Sequence, residues 1–113
     1  MRMRCVVLGL LLVTVNAGAV AEPMAFVRAI ELPRVEGRID HLAFDASTVR
    51  LYVAALGNNS VEVLDVGMPS HLKSVSGFRE PQGIAVIPEI KSVAVADGQG
   101  DGLQLLGADD YRA

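Results

Sequence analysis

From residue 41 onward, apolar residues come in short bursts separated by Gly, Asn, Asp and Pro. Three bursts, at about 41–45, 50–55 and 61–66, are followed by three more at about 83–87, 92–96 and 103–106. Within the third burst Val61, Val63 and Asp65 alternate with Glu62, Leu64 and Val66, the period of two expected of a strand with unlike faces. The first burst of each group is apolar nearly throughout, which predicts an innermost strand buried on both faces. Residues 71–78, HLKSVSGF, read as an outer strand of the first group. Residues 25–32, AFVRAIEL, read as a further outer strand with Phe26, Arg28, Ile30 and Leu32 on one side. The bursts are too short, too rich in valine and too broken by Gly and Asn for helices, so the expected fold class is all-β.

The two groups are copies. Residues 39–66 align with residues 81–108 without a gap at an offset of 42, pairing Ala43 with Ala85, Val53 with Val95, Ala54 with Ala96 and Leu64 with Leu106. Conservative matches keep the apolar phase in all three segments, among them Leu42 with Ile84, Phe44 with Val86 and Val63 with Leu105. A repeat of roughly 40 to 45 residues built from strands points to propeller blades. The offset also interprets residues 97–102, DGQGDG, which fall in the slot of Ala55–Ser60 and join a second strand to a third. Gly and Asn tolerate the positive φ that such turns need. A phosphate loop would need Lys and Ser/Thr after the glycines and then a helix. Asp97, Gln99, Asp101 and Gly102 imitate the start of an EF-hand loop, but its twelfth position falls on Ala108, where a bidentate Glu is required. The stretch is read as a turn.

The first 21 residues carry a different signal. Arg2 and Arg4 precede an apolar run from Cys5 to Val15, and Ala19-Val20-Ala21 places small residues at the −3 and −1 positions before Glu22. This is the pattern of a cleaved secretory leader, too short to span a bilayer comfortably, so the mature chain starts at Glu22 and lies in the periplasm or outside the cell, with no stable membrane span. Cleavage removes Cys5, the one cysteine, and with it any disulfide or thiolate chemistry. It also removes two of the 10 basic residues, leaving eight against 13 acidic ones. With no basic run, nucleic acid and anionic membranes are poor candidate partners.

The segments Arg38–Asp45, Arg50–Asp65 and Glu80–Gly83 resemble the YVTN-type β-propeller repeat family, which includes YncE-like bacterial periplasmic proteins. The Leu-Tyr-Val-Ala strand at 51–54, the Asn58-Asn59 turn and the Val61-Glu62-Val63-Leu64-Asp65 strand are the most specific parts. The family's Tyr-Val-Thr-Asn signature appears only as Tyr52-Val53-Ala54-Ala55 and Ala94-Val95-Ala96-Asp97. The resemblance covers about residues 25 to 110 and implies four-stranded blades, here about 38–79 and 80–113, with 25–32 as an outer strand of the closing blade. It implies a partial propeller, an N-terminal part whose remaining blades belong to a longer chain, since closed propellers have four to eight blades.

In that arrangement Asp40, His41, Asn58, Asn59, Gln82, Asp97 and Asp101 gather on one rim, where the resembling family can carry ligand contacts. His41 beside Asp40 is the sharpest pair for metal, haem or acid/base work. The competing reading, Asp40 capping a turn and His41 packing at the channel mouth, is preferred because no other histidine has supporting spacing. His71 is expected to be exposed at the start of an outer strand, and Asp45 and Asp65 to serve strand-end turns. No metal site and no cofactor are expected; the haem-attachment motif C-x-x-C-H is absent, and a Ser/His/Asp hydrolase would need a G-x-S-x-G elbow that is absent too. The expectation is a non-catalytic exported module for protein, polymer or small-ligand binding. The alternatives are a fragment of a lactonase-like or quinoprotein-like propeller enzyme, and a cell-surface scaffold protein.

Overall fold

Valine-rich segments bounded by turn residues pair with their sequence neighbours, and the result is two antiparallel meanders. The computed structural model describes residues 21–100 and 102–113, so the expected leader at 1–21 and the candidate Asp101 lie, apart from Ala21, outside the described residues. The first sheet has the order β1 (Leu42–Asp45), β2 (Arg50–Ala55), β3 (Ser60–Asp65) and β4 (Ser70–Ser76). The second has β5 (Pro81–Ile87), β6 (Ser92–Asp97) and β7 (Gly102–Gly107). The fold is all-β. Among the described residues the only helical turns are two of 3-10 type, Leu56–Asn58 and Pro88–Ile90.

The 42-residue offset holds in the hydrogen-bond register. Leu42 pairs with Val53 and Ile84 with Val95; Arg50 pairs with Asp65 and Ser92 with Gly107. Even a strained position repeats. Val49 and Lys91 both adopt left-handed backbone, at φ 57° and 48°. Each carbonyl accepts the N–H of the residue just past the third strand, Val66 at 3.1 Å and Ala108 at 2.8 Å. A β-branched residue is costly in that conformation, so this closing bond outweighs local preference at Val49.

The core lies between the sheets. Tyr52, Val61, Val63 and Val75 of the first sheet cluster with Val93, Val95 and Leu106 of the second and with Phe78 from the connection, and Ile84, Val86 and Tyr111 pack at the margin. Shifted by 42, the first sheet's Tyr52, Val61 and Val63 become Ala94, Leu103 and Leu105. Leu103 and Leu105 are 70% and 46% exposed. The face that the first unit buries is therefore the face that the second unit leaves open.

Two expectations are corrected. Residues 25–32 form no strand: the segment is irregular, with Phe26 and Val27 exposed. An extended segment needs a ladder partner to satisfy its backbone, and among the described residues it has none. The innermost strand is also not buried on both faces, since Leu42 and Phe44 of β1 are 56% and 54% exposed. β1 is an edge strand with one face open.

Tyr52 is buried, and its hydroxyl has no hydrogen-bond partner. Burial pushes its ionisation above the ordinary value of 10.0, with Tyr111, Asp45 and Asp109 adding to the effect and Arg50 opposing it. Removing an unsatisfied buried hydroxyl relieves its desolvation cost, so Tyr52→Phe should stabilise the fold by about 1 kcal/mol in urea titration. The sign of the pH effect follows from the raised folded value. Wild-type stability is intact below the unfolded pKa of 10.0 and is lost as pH climbs past it. The Phe variant should lack that alkaline loss.

Candidate functional site

The rim is built by the short connections between second and third strands and by the segments leading into β1 and β5. Its geometry rests on two close approaches. Gly37, at φ 77°, lies against Gly57, where a Cβ would sit 2.8 Å from the Gly37 Cα, so neither position has room for a side chain. Arg38 O accepts the Gly57 N–H at 2.9 Å, and Ala54 exchanges backbone bonds with Asp40 and His41. These contacts bring Asp40 and His41 alongside the β2 end, one residue before β1 begins.

Three of the polar side chains expected at this rim are occupied by nearby backbone. Asn58 Oδ1 accepts the Glu36 N–H at 3.2 Å, and Asn58 Nδ2 donates to Ser60 Oγ at 2.9 Å. Asn59, left-handed at φ 55°, accepts the Glu80 N–H at 3.0 Å. Asp97 is buried, and both its carboxylate oxygens accept the Arg79 N–H, at 2.8 and 2.9 Å. Its side chain fills the space where a Cβ on Gly100 would stand, which explains a glycine there. Residues 98–100 form a turn. Gly98 and Gln99 donate to Glu80 O and Arg79 O, and the Gln82 amide lies over Gly98. Asp97 and Asn59 thus tie the inter-sheet connection to the rim.

His41 is left to face solvent, with Asp40 partly exposed beside it. His41 Nδ1 is 3.4 Å from Asp40 Oδ1, Arg38 is 3.9 Å from Asp40 Oδ2, and the His41 side chain is 64% exposed. Among the described residues no three of His, Cys, Asp and Glu gather as metal ligands would.

The densest polar cluster lies elsewhere, and sequence reasoning missed it. Glu62 is fully buried on β3. Its Oε1 accepts hydroxyls from Ser60 and, at 2.8 Å, from Ser74 of β4, while Oε2 lies 2.6 Å from His71 Nε2. With Asn58 bonded to Ser60, the chain of contacts runs from the rim across to the outer strand. His71, expected to be exposed, is largely buried, its side chain 16% accessible. The cause is a β-bulge. Lys73 stands opposite Val63 but His71 stands opposite Leu64, so Leu72 is an extra residue. The bulge re-aims His71 onto the face that carries Glu62 and Ser74. Strict alternation from Ser74 would have put it on the other face.

Every acceptor on Glu62 meets a donor, so this cluster fastens β3 to β4 and leaves no free nucleophile or open ligand position. No protein-family model matches the chain, and no curated protein matches it.

Proposed function

We propose that the chain is part of an exported YVTN-type β-propeller, a non-catalytic module that recognises a protein, polymer or small ligand along the rim around Asp40 and His41. One observation carries the architecture. The strand pairing within each unit repeats in register, yet the second unit presents outward the positions, Leu103 and Leu105, whose counterparts the first unit buries. Units stacked this way cover their apolar faces only by adding neighbours, as blades do. The rim carries the binding reading. Asn58, Asn59 and Asp97 serve the backbone there, while the exposed Arg38 and His41 flank the partly exposed Asp40 in a mixed-charge patch. Such a patch suits recognition better than bond-making.

The test is site-specific photo-cross-linking in the periplasm of a bacterial host expressing the chain with its leader. A cross-linker at position 41 should trap a partner, and one at position 72, on the exposed side of β4, should trap none. Equal yields, or none at 41, would overturn the rim assignment. Mass spectrometry of the same material should find a mature chain beginning at Glu22. Retention of residues 1–21 would remove the export part of the reading.

A further inference from the structure

An antiparallel sheet that ends at water normally alternates apolar residues inward with polar residues outward. The second sheet does not. Ala85 pairs with Ala94, Ala94 with Leu105 and Ala96 with Leu103, so these five share the face turned away from Val93, Val95 and Leu106. None of the five is polar. Leu103 and Leu105 are 70% and 46% exposed, Ala85 and Ala96 are exposed, and Ala94 is half-buried.

The repeat says what fits that face. Shifted by 42, the five become Ala43, Tyr52, Ala54, Val61 and Val63 of the first sheet. There Tyr52, Val61 and Val63 are buried in one cluster with Val93, Val95 and Leu106 of the second sheet, with Ile84 and Val86 packed against it. The counterparts of Ile84, Val86, Val93, Val95 and Leu106 are Leu42, Phe44, Leu51, Val53 and Leu64. Leu42 pairs with Val53, Phe44 with Leu51 and Leu51 with Leu64, which puts them together on the face of the first sheet opposite Tyr52. Val53 and Leu64 are already buried there, but Leu42 and Phe44 are 56% and 54% exposed and Leu51 is half-buried. One chain therefore carries both halves of its own inter-sheet contact a second time, each with free apolar surface, on opposite sides of the stack.

We propose that copies of this chain associate head to tail, the Leu103 and Leu105 face of one seated on the Leu42 and Phe44 face of the next. Within the chain β5 packs on β1 and β2. The same arrangement between copies sets β1 of one on β5 and β6 of the other, where Ala85, Ala94 and Ala96 make room for Phe44. The contact joins two unlike faces, so it propagates until a ring closes it. Three strands about 4.8 Å apart and six residues of about 3.3 Å each give a face of roughly 14 by 20 Å. That is well below the roughly 800 Å² per partner of a stable interface, so association should need about tens to hundreds of micromolar chain. The proposal starts from the same open face as the stacked-unit reading and adds the partner. A chain that stays monomeric would remove the partner and leave the packing of its two sheets as it is.

The test is sedimentation equilibrium of the full chain from about 5 to 500 μM, a range that brackets the expected affinity. The wild-type mass should rise with concentration. Phe44→Glu and Leu103→Glu, both at exposed positions, should each stay monomeric with an unchanged urea midpoint. Mixed in equal amounts they should form a heterodimer and stop there, because one intact face of each kind remains. If a glutamate shifts the urea midpoint, Phe44→Ser and Leu103→Ser should give the same pattern. A wild type monomeric throughout, association that neither substitution changes, an effect of one substitution without the other (two like faces in contact), or two folded variants whose mixture stays monomeric would each overturn the proposal.

Discussion

Glu62→Ala should destabilise the chain by about 2–5 kcal/mol, because each buried donor left without its acceptor costs about 1–3 kcal/mol. The carboxylate is fully buried, and three side chains depend on it as their acceptor: Ser60, Ser74 and His71. Alanine would strand the buried Ser60 hydroxyl and the largely buried His71 imidazole and leave a cavity, while the exposed Ser74 hydroxyl would return to water. A domain of this size has about 5–15 kcal/mol in hand, so the variant should sit close to unfolding at room temperature. Glu62→Gln keeps the shape and one acceptor oxygen and should cost about 1–2 kcal/mol. Urea unfolding of the three proteins gives the ordering directly. An alanine variant within about 0.5 kcal/mol of wild type, the spread of an ordinary surface change, would mean that the cluster does not fasten β3 to β4.

Leu106→Ala should cost about 2–5 kcal/mol, while Leu103→Ala on the same strand should change stability by less than about 0.5 kcal/mol. The two leucines are three residues apart on β7 and point to opposite faces. Leu106 is 3% exposed and packs with Val93 and Tyr52 in the inter-sheet cluster, whereas Leu103 is 70% exposed. Deleting the Leu106 side chain removes buried apolar area and leaves a void between two sheets that cannot close around it. Deleting Leu103 removes surface already in water. The contrast also bears on the propeller reading, because with a further unit stacked on the second sheet Leu103→Ala should become as costly as Leu106→Ala. Equal small effects from both substitutions in the present chain would show that the sheets do not pack as described.

What could be seen in advance was whatever the repeat reports. Strand positions, the meander order, the equivalence of residues 97–102 with Ala55–Ser60 and the turn at 98–100 all follow from apolar phase and turn chemistry, both local in the chain. The errors have one source: each needed knowledge of what lies beside a segment. Residues 25–32 have strand composition but no ladder to join, and β1 has the composition of a buried strand but an uncovered face. The Glu62 cluster was hidden because one extra residue, Leu72, breaks the period that relates His71 to Ser74. A usable clue was present in Ser60 and Glu62, two polar residues two apart in the valine-rich start of β3. They share a face and so call for polar partners on the next strand.

The third strand of the first sheet has a neighbour on each side, whereas β7, its counterpart in the second, has a neighbour on one side alone. Along a free edge of an antiparallel ladder, alternate peptide groups point away from the sheet. In deuterated buffer, β3 amides should exchange only when the sheet itself opens, while the outward amides of β7 should be labelled early. Of these two equivalent strands, β7 is the one that should open first. It is also where a foreign peptide in extended form would find unpaired donors and acceptors already spaced to receive it.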